Sequence, residues 1–302
     1  MQTEPFVDGL AYPECPRWHR GAVWLSDQHA GVVVKVDVPG AGRPAPVAEE
    51  VAAPPTEPAG LGWAPDGTLL VVSMHDRRLL AFDPDGAGAP GTGGGRFRTV
   101  ADLAPFHPGL SNELLVDPAG RAYVGNIGFD YYGGQDPRPT VVVLVHPDGA
   151  VRVAADDLLV PNGMVLTPDG ATLVVAESFA HRLTAFTVAA DGSLGHRRVF
   201  ADLDDDIPDG ICLDADGAVW YAAIGRHQVV RVLPGGGPAG KGTVDERVST
   251  GDREAVACML GGPDRRRLFV CTTLHLDPEH SVPARSGRLE VVDVAVPGAG
   301  LP

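Results

Sequence analysis

A single pattern recurs six times along the chain, and it constrains the fold more than any other feature. Each copy contains an apolar segment, a turn of the Asp-Gly type, a second apolar segment, a loop and a third apolar segment. The copies open with the stretches YPECPRW, PAGLGW, LSNELLV, VPNGMVL, IPDGICL and AVACMLG. Asp-Gly between apolar runs is typical of a β-hairpin, and β-branched runs such as GVVVKVDV favour strands over helices.

The spacing of the copies predicts a particular all-β fold. The copies recur at roughly 45–53 residues, a spacing in the range of propeller blades. Three copies are followed by a fourth, outer strand, with the sequences RFRTVADL, VRVAADDL and HRRVFADL. We predict one six-bladed β-propeller of four-stranded antiparallel blades over residues 1–302, closed by GRLEVVDVAVPG together with N-terminal residues. A pair of β-sandwiches is the alternative, but it would not explain six copies.

The charge and the termini limit the partners of the chain. The formal net charge is −15 and the basic residues are scattered, so a nucleic acid, which requires a basic surface, is not expected as a partner. No segment is apolar for long enough to span a membrane, and MQTEPFVDGLAYPE lacks the basic and apolar regions of a secretory signal. We expect a cytoplasmic protein, and a monomer because a propeller closes on itself.

The four cysteines are widely separated and form no CxxC pair. They are Cys15, Cys212, Cys258 and Cys271. We predict reduced, buried side chains that pack in the core, as is usual in the cytosol. Cys258 and Cys271 can fall on neighbouring strands, so a disulfide between these two is the alternative.

One register position of the repeat changes its residue from copy to copy. At the start of the first strand it holds Glu14, Ala59, Asn112, Asn162, Asp209 and Ala257. Equivalent positions on the innermost strands of a propeller converge on the central channel, so four oxygen-bearing side chains are predicted to meet at one end of it. The two alanines are predicted to leave an open side where a ligand enters.

Two carboxylates and two amides form a ligand set for a hard divalent cation. We predict one Ca²⁺ bound by Glu14, Asn112, Asn162 and Asp209, with Zn²⁺, Mn²⁺ or Mg²⁺ as alternatives. Such a cation also explains why the carboxylate of Glu14 stands among apolar and proline residues. Taken singly, Pro-Asn-Gly and Pro-Asp-Gly are more often turns than ligands, and only the shared register favours the metal site.

Several polar residues follow the second strand of a copy and are candidates for contact with a substrate. They are His75, Asn126, Glu177 and His227. A solvated loop position is the competing interpretation of each, since loops carry both polar filler and functional groups. HLDPEH, from His275 to His280, contains a proline that breaks helical spacing, so an exposed loop is predicted there. GTGGGR is predicted to be a glycine-rich surface loop.

The motifs around the ring resemble those of the senescence-marker-protein/gluconolactonase/luciferin-regenerating-enzyme family. The resemblance covers essentially the full chain and lies in PECPRW, SNELLVDPAGRAYVGN, VPNGMVLTPDGATLVVAES and IPDGICLDADGAVWYA. It implies a six-bladed propeller, a single divalent metal in the central channel and, most often, hydrolysis of a lactone. By motif, Glu14, Asn162 and Asp209 resemble the family's metal ligands, and Asn112 resembles its further ligand or substrate-contacting asparagine.

The chain departs from the family pattern on both sides of Asn112. Many sugar lactonases of the family have Arg two residues before this asparagine and Asp directly after it, where this chain has Leu110 and Glu113. Loss of that Arg removes a donor for a polyhydroxy substrate, so a lactone or ester less polar than gluconolactone is expected, with Glu113 as a substrate contact. The predicted lining of a less polar cleft is Met74, Phe129, Tyr131 and Tyr132.

Together the residues and the resemblance predict a metal-assisted hydrolysis of a lactone or related ester. The cation would polarise the carbonyl group, and a water of lowered pKa would attack it. Asp209 is the predicted general base as well as a ligand, and Glu14 is mainly a ligand. The alternatives are a non-catalytic propeller that binds a small molecule or protein and holds a structural metal, and a family member recruited to another reaction such as isomerisation.

Overall fold

The strands of the chain form six antiparallel sheets, five of four strands and one of five. The sheets are seen in a computed structural model that describes residues 1–38, 46–86, 95–235 and 241–301. They are the blades of a six-bladed β-propeller, which confirms the fold predicted from the repeat.

The first half of the chain contributes the strands of blades 1 to 3. In chain order the strands are β1 (Glu4–Leu10), β2 (Pro13–His19), β3 (Ala22–Asp27), β4 (Val32–Asp37), β5 (Ala48–Ala52), β6 (Pro58–Trp63), β7 (Leu69–Ser73), β8 (Arg78–Asp83), β9 (Arg96–Asp102), β10 (Ser111–Val116), β11 (Ala122–Asn126), β12 (Thr140–Val145) and β13 (Val151–Leu158). Blades 1, 2 and 3 are β2–β5, β6–β9 and β10–β13.

The second half contributes blades 4 to 6. Its strands are β14 (Pro161–Leu166), β15 (Thr172–Glu177), β16 (Arg182–Val188), β17 (Leu194–Asp202), β18 (Ile207–Asp214), β19 (Val219–Ile224), β20 (Gln228–Leu233), β21 (Thr243–Ser249), β22 (Glu254–Gly261), β23 (Arg267–Thr273), β24 (Gly287–Asp293) and β25 (Gly298–Ala299). In the described part of the chain the helices are one α-helix, α1 (Pro278–Ala284), and two 3₁₀ turns, Gln28–Ala30 and Ser178–Ala180. Blades 4 and 5 are β14–β17 and β18–β21, and β25 extends blade 5 beside β18.

Blade 6 closes the ring by joining the two ends of the chain. Its three inner strands are β22, β23 and β24, and the N-terminal strand β1 pairs with β24 as the outer strand, for example through Glu4 opposite Val291. The predicted pairing of GRLEVVDV with N-terminal residues is therefore confirmed. Because the outer edge of this blade comes from the far end of the chain, opening the ring requires breaking a complete strand pair.

The turns between the first two strands of a blade follow the Asp-Gly chemistry of the sequence. In the turn at Asp66 and Gly67, the glycine has φ +89° and the Thr68 amide donates to the Asp66 carboxylate at 2.9 Å. Asp169 and Gly170 repeat this arrangement, with φ +69° at the glycine. A positive φ carries little cost at glycine, and the aspartate accepts the free amide, so this pair specifies a tight hairpin turn.

The core lies between neighbouring blades. Val165 and Val174 of blade 4, for example, pack in one buried cluster with Ile211, Leu213 and Tyr221 of blade 5. Each blade therefore buries both of its faces, which explains why its inner strands read as nearly continuous apolar runs.

The four cysteines are buried and free, as predicted. Cys271 pairs across the sheet with Ala257 rather than with Cys258, so the alternative disulfide is wrong. The sulfur nearest to Cys258 Sγ belongs instead to Cys212, at 3.8 Å across the contact between blades 5 and 6.

The exposed loop predicted over HLDPEH is present only in its first half. Residues 275–277 form a loop, whereas Pro278 begins the seven-residue helix α1, with the Asp277 side chain accepting the His280 amide as its N-cap. Proline is well suited to the first turn of a helix, where its missing N–H is not needed, so the prediction of a loop is wrong from Pro278 onward. Most of GTGGGR lies outside the described residues. Within the described ranges, the helices lack the length and apolar content needed to cross a membrane.

Candidate metal centre and substrate cavity

Every blade carries a β-bulge at the same point of its innermost strand. In blade 4, Pro161 pairs with Glu177 while Met164 pairs with Val175, so the inner strand has one extra residue between these pairs. The register shifts in the same way after Glu14, Pro58, Ser111, Pro208 and Ala255. A bulge interrupts the ladder and re-aims a side chain. The predicted ring residues of blades 1 to 5 lie at these bulges.

In blade 6 the bulge falls one residue earlier than predicted. Ala255 pairs with Thr272 and Ala257 with Cys271, so Val256 is the extra residue and the assignment of Ala257 to the ring is wrong. The sequence Ala-Val-Ala contains no polar residue or glycine that would mark the register. Ala59 and Ala257 are both fully buried and border no part of the cavity described below, so the predicted open side at the alanines is also wrong.

The glycines that follow the ring residues serve close contact between blades. A Cβ atom on Gly163 would lie 2.6 Å from the Ile211 nitrogen, and one on Gly210 would lie 2.4 Å from the Ala257 Cβ. Both glycines lie inside strands, β14 and β18, and neither has a positive φ. Interpretation of Pro-Asn-Gly and Pro-Asp-Gly as turns is therefore wrong, because glycine is needed there for space between neighbouring inner strands.

The four predicted ring ligands border one cavity at the channel mouth: Glu14, Asn112, Asn162 and Asp209. Asn112 Nδ2 donates to Asn162 Oδ1 at 3.3 Å. Asn162 Nδ2 donates to Ser178 Oγ at 3.2 Å, and that hydroxyl donates in turn to the Pro208 carbonyl at 2.7 Å. Because Ser178 holds the amide nitrogen of Asn162, the carbonyl oxygen of Asn162 is directed towards the ring.

Glu14 and Asp209 are two buried carboxylates whose charges interact. Burial raises the pKa of Glu14 well above its usual value, and the Asp209 charge adds to the rise, while the Cys15 amide opposes it. Burial also raises the pKa of Asp209, and the Glu113 charge adds to it. Among the described residues neither carboxylate has an ion-pair partner, so a bound cation would remove the unfavourable free energy of this pair.

The donor set suits a hard cation. Within the described ranges no three His, Cys, Asp or Glu side chains come together as a ligand group, so the ring offers two carboxylates and two amides instead. Oxygen donors of mixed charge are the ligands that Ca²⁺ accepts, whereas soft metals select sulfur and imidazole. Glu14, Asp209 and the Asn162 carbonyl oxygen are the residues present that could hold such an ion, with Asn112 beside them.

A buried ion pair lies one step further along the inner strands. Arg17 Nη2 lies 2.6 Å from the Glu113 carboxylate, and both side chains are buried. The same guanidinium donates to the carbonyls of Leu61 at 3.0 Å and Leu114 at 2.8 Å, so it joins blades 1, 2 and 3. Glu113 does not border the cavity, and its carboxylate is paired with Arg17 instead.

A cavity of about 280 Å³ opens over the ring. All six blades contribute to it at or just after the end of the second strand, through Gln28, Met74, Ile127, Ser178, Ile224 and Leu276. Of the predicted apolar lining, Met74, Tyr131 and Tyr132 do border the cavity. Phe129 does not: it is buried behind the wall, with ring centroids 5.9 Å from Phe179 and 6.3 Å from Tyr131.

Two other predicted substrate contacts, Asn126 and Glu177, lie near the same mouth but form hydrogen bonds within their own blades. Asn126 is fully buried and uses its side chain on Val141 and Thr140, at 2.8 and 2.7 Å. Glu177 is fully buried and bonds Arg182 at 2.8 Å as well as the Thr184 hydroxyl. These two polar side chains are satisfied within their own blades and do not border the cavity.

Two histidines at the mouth are also engaged with acidic neighbours. His75 Nε2 lies 3.0 Å from a Glu57 carboxylate oxygen, and His227 Nδ1 lies 3.7 Å from a Glu254 oxygen. Both imidazoles are more than two fifths exposed and stand outside the cavity lining. For His75, Asn126 and Glu177, the prediction of substrate contact does not agree with these positions.

The structure adds wall residues that sequence reasoning missed. Tyr12 and His29 stack with ring centroids 4.3 Å apart, and the Tyr12 amide donates to Asp27 at 2.7 Å. Ser178 and Phe179 form the wall on the blade 4 side. The sequence signal for these two is their place directly after Glu177, at the end of a second strand, which is where the other blades also contribute to the cavity.

The comparisons with known proteins agree with this architecture. A family model described as SMP-30/Gluconolactonase/LRE-like region matches residues 12–274. Regucalcin of Xenopus laevis is 28% identical over 200 residues, which cover 62% of this chain and 63% of that protein. The 6-deoxy-6-sulfogluconolactonase of Pseudomonas putida is 29% identical over 167 residues, 54% of this chain and 53% of that protein. Each match therefore spans less than two thirds of the relative's length.

A solved structure with the same fold extends the comparison to nearly the whole chain. The crystal structure of a calcium-binding protein, regucalcin, from Agrobacterium tumefaciens superimposes with a TM-score of 0.74 at 23% identity. The superposition covers 99% of this chain and 94% of that one. At this identity the likeness establishes the six-bladed fold.

Proposed function

Because the chain belongs to the SMP-30/gluconolactonase/LRE-like family, we propose that it is a metal-dependent hydrolase acting on a lactone or a related ester. Two buried carboxylates at the cavity, Glu14 and Asp209, which have no ion-pair partner among the described residues, carry this proposal. The names of the relatives support it, since one is a sulfogluconolactonase and another is a calcium-binding protein.

The ring would hold one divalent cation, with Ca²⁺ as the favoured ion because all donors are oxygens. Glu14, Asp209 and the carbonyl oxygen of Asn162 would be its ligands, and Asn112 would contact either the ion or the substrate. Zn²⁺, Mn²⁺ and Mg²⁺ are the alternative ions. When bound, the cation supplies an electrophile that withdraws charge from the substrate carbonyl.

Asp209 would act as the general base. Its carboxylate accepts a proton from the water that attacks the carbonyl carbon, and later returns the proton to the ring oxygen as the acyl–oxygen bond breaks. Hydrolysis of a lactone consumes one water and gives one hydroxy acid as the single product. Glu14 keeps its charge throughout and holds the ion. The Asn112 amide is placed to donate a hydrogen bond to the substrate beside Asn162.

A lactone panel with and without metal tests the proposal. Purified protein is assayed on lactones and aryl esters with Ca²⁺, Zn²⁺ or Mn²⁺ and after chelation. We expect turnover that is lost on chelation and restored by one ion. Asp209→Asn should bind the ion more weakly, and when calorimetry shows that it is saturated with the ion, it should lose about 100-fold or more in kcat, as is typical when a general base is removed. Asp148→Asn, in an exposed turn that asparagine also fits, is the matched control.

Two outcomes would contradict the proposal in different ways. Turnover that survives in Asp209→Asn with the ion bound would remove the assignment of Asp209 as the base. Stabilisation by the ion without turnover of any lactone or ester would favour the non-catalytic, ligand-binding propeller with a structural metal. We also propose a cytoplasmic monomer, which the free cysteines support; light scattering of the purified protein tests its oligomeric state.

A further inference from the structure

We propose that the substrate is a neutral lactone or ester carrying an aryl or alkyl substituent, and that this substituent lies between two aromatic walls at the cavity mouth. This inference rests on the proposed function, since it names the substrate class for the same site. It follows from the side chains that line the walls, from the exposed rim and from the lack of Lys and Arg among the described residues of the lining.

The cavity has an aromatic wall on each side. On one side Tyr12 and His29 stack with an interplanar angle of 23° and ring centroids 4.3 Å apart. His29 is fixed there because its Nδ1 atom lies 2.6 Å from the hydroxyl of Ser281, a residue of α1. On the other side Phe179 packs against Tyr131 with ring centroids 6.4 Å apart. Rigid rings on opposite sides form a slot for a flat or branched apolar group.

The walls continue outward as an exposed apolar rim. The two longest connections at this mouth, residues 127–139 and 274–286, come from blades 3 and 6, which stand opposite each other in the ring. They present Tyr131, Tyr132 and Leu276 to the cavity, and these side chains are 53%, 56% and 43% exposed. Large apolar side chains exposed together at the edge of a concave site are typical of ligand contact.

The walls of the cavity offer no cationic partner to an anionic substrate. Among the described residues that border the cavity there is no Lys or Arg. A phosphorylated, sulfonated or carboxylated substrate would therefore meet no cationic side chain in these walls.

Two polar side chains above the ring already have partners. The Gln28 amide nitrogen lies 2.8 Å from the Met74 sulfur, and one nitrogen of His29 is taken by Ser281. The remaining walls are mostly aromatic and aliphatic, so they offer an apolar substituent more contact surface than a sugar would use.

A matched set of compounds tests the inference. The hydrolysis assay compares δ-valerolactone, phenyl-substituted δ-valerolactone and δ-gluconolactone on the metal-loaded protein. We expect kcat/KM to be higher for the phenyl lactone than for either other compound by about 10-fold or more, as burial of an aromatic group gives. Phe179→Ala should abolish most of this preference, while Phe179→Leu should retain part of it. Val153→Ala, exposed on the outer strand of blade 3, is the control and should change nothing.

Binding of an analogue that cannot be hydrolysed separates this inference from the proposed function. Calorimetry compares δ-valerolactam with its phenyl-substituted form. Tighter binding of the phenyl form, weakened in Phe179→Ala, together with no turnover of any lactone, would contradict the proposed hydrolase and retain the ligand class. Equal binding of the two lactams, or a preference for δ-gluconolactone in the assay, would overturn the inference while leaving a hydrolase in place.

Discussion

Arg17 and Glu113 form a buried ion pair, 2.6 Å apart, that connects blades 1 and 3 across the channel. Arg17 also bonds the Leu61 carbonyl of blade 2 at 3.0 Å, so one guanidinium holds three blades together next to the ring. The positive charge of Arg17 and the negative charge of Glu113 cancel each other. Immediately towards the mouth lie Glu14 and Asp209, which have no such compensation among the described residues.

Removing only one partner of the buried pair should destabilise the protein strongly. We expect Arg17→Met to lower the free energy of unfolding by about 3–5 kcal/mol, because Glu113 would keep a buried charge without a partner. The double variant Arg17→Met/Glu113→Leu should recover much of this loss, since both charges are then gone. Urea unfolding of the three proteins measures the effect. Equal losses in the single and double variants would show that the contacts of the arginine with the carbonyls, rather than the ion pair, hold the blades.

Glu14→Gln should have opposite effects on metal binding and on metal-free stability. Loss of a charged ligand should weaken Ca²⁺ affinity by more than about 100-fold. This exceeds the loss that is usual when only a residue hydrogen-bonded to a metal ligand is removed. Without metal, the variant should melt roughly 2 °C higher, the shift that about 1 kcal/mol gives in a chain of this size, because Asp209 no longer faces a like charge. Calorimetry and thermal melts with chelator measure the two effects. The exposed Glu49→Gln is the control, and unchanged Ca²⁺ affinity in Glu14→Gln would remove Glu14 from the ring.

Ser178 should control metal affinity without touching the metal. Its hydroxyl holds the Asn162 amide nitrogen at 3.2 Å, so Ser178→Ala frees the amide to rotate and should weaken Ca²⁺ affinity by about 10-fold, as loss of an outer hydrogen bond does. Ser26→Ala is a matched control, since this buried hydroxyl donates to the Ala59 carbonyl, at 2.6 Å, and not to a predicted ligand of the ion. A comparable loss of affinity in both variants would indicate general loosening of the inner strands.

His107 should make the protein sensitive to acid. Burial lowers the pKa of His107 to about 3, and the Arg77 charge adds to this effect. In the unfolded chain, His107 has its ordinary pKa of about 6.5, so below that pH the unfolded chain binds a proton that the folded chain does not. The free energy of unfolding therefore falls as the pH falls from about 6.5 towards 3, and His107 accounts for about 2 kcal/mol of the loss at pH 5.

The unfolding free energy measured against pH tests the role of His107. His107→Gln should show a flatter decline between about pH 7 and pH 5 than the unmodified chain, whatever its absolute stability. His196→Gln, at an exposed position, is the control and should follow the unmodified chain. Parallel declines in His107→Gln and the unmodified chain would exclude His107 as the source of acid sensitivity.

The ring of Glu14, Asn112, Asn162 and Asp209 was accessible to sequence reasoning because the repeat places these residues in one register. The same reasoning failed in blade 6, where Ala-Val-Ala has no distinctive residue to mark the bulge. It also favoured charged residues over their neighbours. Glu177 turns away to Arg182, whereas Ser178 and Phe179 beside it form the cavity wall. Polarity alone does not indicate which side of a strand end a side chain occupies.

The six blades and the shared register of Glu14, Asn112, Asn162 and Asp209 could be predicted from the sequence, because strand propensity, Asp-Gly turns and a regular period are local properties that repeat. The surroundings of these four residues could not, because they depend on tertiary contacts. The pairing of Glu113 with Arg17, the stacking of Tyr12 on His29 and the approach of Phe179 to Tyr131 each join residues from different parts of the chain. Such contacts depend on how blades pack and loops turn, and no periodicity of the sequence encodes them.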